Sequence, residues 1–370
     1  MDWPVLGPVV DVVRGRFVPP EPDVPAPVFD GPAESFVDMP PVDRGLKAYD
    51  AWEGDGPPPL GSEPALVLPL PGREADPERL SAAAGRLIDG GREARLGPYR
   101  LVTDVAPGAL IEHLDVITSQ VERVYAERYG LTPVGEAKET LVLFREESGY
   151  RAVQAEWGRI RDLASVAHTG YGMVVFYVGD LDPAVVGHTL LHELTHLLNR
   201  RSLGPALPPW LDEGIADDLA AARLDGEGRL HVADLSHGKI EYENRVELRG
   251  GLAGLDLLLV TQREGRAVPL GVLVRLEWGP FVGGPRSRLH YAESALLVRF
   301  LVRPTVRRQA FLGYLESVSR GESVAASTLE DRLGASWEEI EGAWRAFLLQ
   351  QALESGLSSR LVGQPGQVTK

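Results

Sequence analysis

Apolar residues recur along the chain with two different periods, and the changes between them mark the elements. Between Ala109 and Tyr129 they fall at 110, 111, 114, 117, 121 and 124, the spacing of one helical face, and Gly130 supplies a stop. That pattern predicts a single helix. Leu101–Thr103 and Thr140–Phe144 read as short strands, as does the β-branched and aromatic run Tyr171–Val178, with glycine at its start and just beyond its end. Tyr150–Leu163 has helical spacing. Asp182 and Pro183 open a helix that runs to about Arg201, where basic residues suit the negative end of the helix dipole. Pro208-Pro209 then leads into a second helix, Trp210–Leu224. Residues 225–285 are Gly-rich and carry no assignable period. Beyond them, helical spacing returns over 289–302, about 305–319 and 336–350. Strands come first and helices last, without an internal repeat, which predicts an α+β fold.

Proline changes the picture at the front of the chain. Sixteen of the 29 prolines fall in the first 72 residues. Proline removes backbone donors and fixes φ, so a surface-draped arm is expected there, with Ala65–Leu70 as one strand candidate. Composition excludes several function classes. Thirty-eight basic against 53 acidic residues leave a formal charge of −15, which disfavours nucleic acid or an anionic membrane as partner. The absence of cysteine removes disulfides, thiolate metal sites and thiol nucleophiles. No apolar run reaches the ~18 residues of a membrane span; the longest, Leu252–Val260, contains Asp256. The first residues lack a basic leader and a clean apolar core, so the chain reads as soluble, without a signal peptide.

Within the helix expected over 182–201 stands His192-Glu193-Leu194-Thr195-His196. Residues four apart share a helical face, so both imidazoles reach one cation, and Glu193 sits where it can take a proton from a water on that cation. Val185, Val186, Leu190, Leu191, Leu194, Leu197 and Leu198 wrap the helix in apolar side chains. Ionisable groups on so apolar a helix need partners, because burying them unpaired costs several kcal/mol. A catalytic zinc site takes three protein ligands and leaves the fourth position open. A third histidine six residues after His196 is lacking, since Leu197 to Ser202 contain none. Trp210-Leu211-Asp212-Glu213-Gly214-Ile215-Ala216 lies on the next helix, and two antiparallel helices joined by a Pro-rich turn would return Glu213 to the histidines.

These two segments resemble the gluzincin metallopeptidases of the peptidase MA clan, which carry HExxH on one helix and a glutamate ligand on the next. WLDEGIA is similar to the WLNEG(F/L)A motif of their aminopeptidase branch and of related bacterial peptidase-MA-like families. The resemblance, over about residues 96 to 350, implies Zn2+ bound by His192, His196 and Glu213, with Glu193 as general base and acid. It implies a zincin-like catalytic core over 96–285, with a mixed sheet, the active-site helix and the glutamate helix. A helical C-terminal part over 286–370 follows that core, and the Pro-rich arm of 1–95 precedes it. Asp217, one turn beyond Glu213, matches an aspartate that holds a ligating histidine in thermolysin-like members, with Asp218 its rival. His188, one turn before His192, is expected behind the ligands or in packing. Tyr291 matches a tyrosine that donates to the oxyanion in the aminopeptidase branch, with His290 as its neighbour and alternative. Gly170-Tyr171-Gly172-Met173-Val174 is similar to the GxMEN motif, which implies substrate binding along an edge strand at Tyr171, Gly172 and Met173. Val174 stands at the position of the glutamate that anchors a free amine, which favours endopeptidase over aminopeptidase action. The expected partner is thus a peptide or protein substrate. The alternative is a binding or scaffold protein that keeps zinc for stability alone.

Overall fold

A computed structural model describes residues 91–137, 139–156, 167–170, 173–179, 181, 183–235, 239–242, 245–248, 250–283, 285–303 and 305–357. The Pro-rich arm before residue 91, the Ala65–Leu70 strand candidate and residues 157–163 of the expected helix at 150–163 lie outside them. The sheet begins with β1 (Arg92–Leu96) and β2 (Tyr99–Thr103), so residues 92–95, expected in the arm, belong to a strand. Two helices follow, α1 (Ala109–Thr118) and α2 (Val121–Tyr129). They replace the single helix that the spacing predicts. The β1–β2 turn presses on the junction: a Cβ on Gly97, at φ +54°, would stand 2.7 Å from the Ser119 nitrogen. Gln120 at the break is held from outside the helix, donating to the Gly228 carbonyl (2.8 Å) and accepting from the Leu230 N–H (3.0 Å).

Next come β3 (Thr140–Phe144), α3 (Glu147–Glu156), β4 (Ala167–Gly170) and β5 (Met173–Tyr177). The sheet order is β1-β2-β3-β5-β4. Its centre is parallel (β2 with β3, β3 with β5) and its two outer pairs are antiparallel. All five residues of β3 are buried, as a central parallel strand requires. Alternation divides the side chains between two faces: Leu141, Leu143, Val174 and Phe176 join the main core, whereas Val142, Phe144, Met173 and Val175 pack on the other side with Tyr150.

α4 (Pro183–Leu203) packs on the sheet against β4 and β5, and α5 (Pro209–Ala220) packs against α4. Gly204, at φ +93°, follows the last turn of α4, and Pro209 opens α5. Residues 222–224, expected in that second helix, instead form β6 (Ala222–Leu224), which pairs with β7 (Leu230–Val232). The cause is local: Asp225 Oδ1 accepts from the N–H groups of Glu227 and Arg229, which closes a turn with Gly228 at φ +74°. The stretch that carried no assignable period holds a second hairpin, β8 (Lys239–Tyr242) and β9 (Arg245–Leu248), and α6 (Gly250–Arg263), α7 (Leu270–Leu273) and α8 (Trp278–Val282). The chain continues through α9 (Ser287–Leu301), α10 (Val306–Ser319), α11 (Ala326–Leu333) and α12 (Trp337–Glu354), the last with a Ser336/Glu339 capping box. The architecture is mixed and mainly helical around a small mixed sheet, consistent with α+β. One hydrophobic cluster extends from Leu96 to Leu357, across residue 285, so the C-terminal helices complete the core. Among the described residues, no helix is long and apolar enough to cross a membrane.

A buried carboxylate joins three of these helices. Asp218 of α5 accepts from Arg128 Nε and Nη2 (2.5 and 2.8 Å), Tyr129 hydroxyl (2.8 Å) and Arg299 Nε (2.9 Å). Burial alone would raise its pKa, but Arg128 and Arg299 hold it below the usual carboxylate range. Such a group stabilises the fold above its unfolded value, near 3.8, and the contribution is lost as pH falls through the lower folded value. Asp218→Asn should destabilise the chain by about 3–5 kcal/mol in urea titration at neutral pH and flatten the acid side of the stability profile. An unchanged midpoint would show that the two arginines do not depend on this carboxylate.

Candidate metal centre

The site is built on two helices whose apolar faces leave few places for polar groups. Leu190, Leu191, Leu194, Leu197 and Leu198 of α4 are buried, and the Thr195 hydroxyl is satisfied within the helix by the Leu191 carbonyl (2.6 Å). α5 runs antiparallel to α4, for His192 meets Asp217 while His196 meets Asp212. Glu213, 6% exposed, lies between the two imidazoles.

His192 Nε2 and His196 Nε2 are 3.2 Å apart, and Glu213 Oε2 stands 3.3 Å from the first and 3.5 Å from the second. A tetrahedral centre with ligand bonds of 2.0–2.1 Å spaces its donor atoms about 3.3–3.4 Å apart. The three distances match that spacing. Glu213 Oε2 is buried and accepts no hydrogen bond, a costly state for a carboxylate oxygen unless a cation meets it. His192, His196 and Glu213 therefore form a group that could hold a metal ion.

Each of these three residues has a partner behind it. Asp217 Oδ1 accepts from His192 Nδ1 at 2.8 Å. Asp212 Oδ2 stands 3.1 Å from His196 Nδ1. Asp212 in turn accepts from Asn199 Nδ2 (2.7 Å), and Asn199 Oδ1 accepts from the Tyr125 hydroxyl (3.0 Å). A carboxylate on Nδ1 keeps the proton there and turns the Nε2 lone pair outward. The Tyr291 hydroxyl donates to Glu213 Oε1 at 3.2 Å.

Electrostatics follow from this crowding. Burial works against the charged form of both histidines, yet Asp217 and Glu213 raise the His192 pKa well above its ordinary value, and Asp212 and Glu213 lift that of His196 to about 9. The His196 imidazole also holds Asp212 below the usual range against the effect of burial. Burial, with the nearby carboxylates Glu213, Asp217 and Glu193, pushes the Tyr291 phenol far upward, so it remains a donor.

Glu193 is half-buried on α4 beside His192. His188 Nδ1 bonds the Ala220 carbonyl (2.9 Å), which ties α4 to the end of α5. His290 is likewise committed elsewhere, to the Phe281 carbonyl (2.8 Å). Tyr171 and Gly172 lie outside the described residues. The expected edge strand requires correction: β5 is hydrogen-bonded on both sides, by β3 and β4, so the outer strand there is β4. Met173 is fully buried on the sheet face away from the main core, and Val174 is buried on the other, so neither side chain is open to a substrate. Asp212, Asn199 and Tyr125 are the residues that the sequence did not single out. Only Asp212 had a local signal, as the residue beside Glu213 within WLDEG.

The chain matches no model of a known protein family, and no curated protein matches it.

Metal analysis of the purified chain should find one divalent ion per molecule, lost in His192→Ala. Asp217→Ala should retain the ion but bind it about 10–100-fold more weakly in chelator competition. Equal metal content in the parent and His192→Ala would contradict the assignment.

Proposed function

We propose that the chain is a zinc-dependent peptidase of gluzincin type with a zincin-like core, acting on peptide or protein substrates. The observation that carries this reading is the approach of Glu213 Oε2, from α5, to within 3.3 and 3.5 Å of the Nε2 atoms of both HExxH histidines. Two imidazoles and one carboxylate, in a chain without cysteine, are a donor set suited to zinc with one position left open, whereas magnesium and calcium favour all-oxygen sites. The antiparallel α4–α5 pair and the sheet beneath it support the zincin comparison.

Zinc, when bound, supplies Lewis acidity that lowers the pKa of water towards ~7 and polarises a carbonyl. The residues do the rest. Asp217 and Asp212 hold the imidazoles by Nδ1, so that both Nε2 atoms face the same point. Glu193 accepts a proton from the attacking water as its oxygen bonds to the peptide carbonyl carbon. The same carboxyl then gives that proton to the departing amide nitrogen as the C–N bond breaks. One water is consumed, and a carboxylate and an amine are released. Endopeptidase action is favoured over aminopeptidase action, because Val174, buried in the sheet, leaves no carboxylate at the position where the similar GxMEN motif carries its amine-anchoring glutamate.

Glu193→Gln preserves shape and removes the base. The variant should keep its metal and its unfolding temperature, while hydrolysis of a casein or mixed-peptide substrate falls by about 10²-fold or more. A fully active glutamine variant would mean that Glu193 is not the base. A metal-loaded parent chain inert towards every peptide would favour the structural-zinc alternative.

A further inference from the structure

One hydrogen bond to the ligand group comes from outside the α4–α5 pair. Tyr291 of α9 places its hydroxyl 3.2 Å from Glu213 Oε1, whereas Oε2 is the carboxylate oxygen nearest both histidines. A carboxylate only accepts, so the phenol donates. Two further contacts fix this geometry. The Tyr291 ring packs against Phe281, which is fully buried, with ring centres 5.3 Å apart. The backbone of α9 crosses α5 immediately beside the ligand, where a Cβ on Gly214 would lie 2.7 Å from the Ser294 carbonyl oxygen. The glycine after Glu213 thus permits the helix approach that brings Tyr291 within reach.

The two oxygens of Glu213 consequently have different tasks. Oε2 is buried without a hydrogen bond and faces both Nε2 atoms, whereas Oε1 is engaged by the phenol. A glutamate bound through both oxygens would fill the coordination position that a hydrolytic centre leaves open; one bound through a single oxygen preserves it.

We propose that Tyr291 is a positioning residue that holds Glu213 by Oε1, so that the carboxylate offers only Oε2 to a metal shared with His192 and His196. This assignment rests on the reading of those three residues as metal ligands, and it differs from a role for Tyr291 as oxyanion donor. Its consequence is on the metal itself, before any substrate arrives.

The test uses the full chain loaded with cobalt(II), whose visible absorption weakens as coordination rises from four towards five or six. Tyr291→Phe keeps the ring against Phe281, so the metal-free variant should unfold at the parent's temperature. Its cobalt affinity in chelator competition should fall by about 10–100-fold, the range for lost outer partners of ligands, with a weaker visible band. Unchanged affinity and spectrum would overturn the proposal. If turnover then fell, Tyr291 would act on substrate; if it did not, the residue would serve packing. A parent chain that takes up no cobalt would overturn the metal reading, and this proposal with it. Cobalt uptake by the parent but not by His192→Ala, with Tyr291→Phe unaltered, would leave the metal reading standing and remove this proposal alone.

Discussion

A carboxylate oxygen without a hydrogen-bond donor, buried between two imidazoles, is the constraint on which the rest of this structure turns. Glu213 Oε2 has left water and faces the two imidazole Nε2 atoms at 3.3 and 3.5 Å. Such an arrangement persists only if positive charge meets it, from protonated imidazole or from a cation. Everything nearby serves to hold the three donor atoms together. α4 sets the two histidines one turn apart, and α5 returns the glutamate.

The burden falls heavily on α5, which carries four acids in seven residues, Asp212, Glu213, Asp217 and Asp218. Helical rotation of about 100° per residue separates their tasks. Glu213 and Asp217 share a face towards His192 and His196, and Asp212 reaches His196 from the flank. Asp218 points the other way and binds Arg128 and Arg299, fixing α5 to α2 and α9. Because α9 also supplies Tyr291, α5 connects the His192–His196–Glu213 group with the packing of the C-terminal half. Gly214 sits at the crossing, where a side chain would collide with the α9 backbone.

Much of this centre was legible in the sequence because it depends on local spacing. Histidines four apart share a face on any helix, and the Pro-rich turn before Trp210 made an antiparallel return the simple expectation. Relations between distant segments were not legible. The helix break at Ser119–Gln120 is imposed by Gly97 and by the β6–β7 hairpin, neither visible in the smooth apolar period from Leu110 to Val124. Strand order is also non-local: the resemblance implied an edge strand within Tyr171–Val178, but β4 pairs outside β5. Leu224 lacked a helix's continuation because Asp225 and Gly228 build a turn, a signal that was present but outweighed by the apolar run before it. The Tyr125–Asn199–Asp212 chain behind His196 joins three helices and had no signature in any one of them.

Anomalous X-ray diffraction at the zinc edge, on crystals of the full chain grown with zinc, tests the central claim most directly. A single strong peak should lie about 2.0–2.1 Å from His192 Nε2, His196 Nε2 and Glu213 Oε2, with Glu213 Oε1 farther away. A map without a peak among these three residues, or with its peak held by other side chains, would contradict the account.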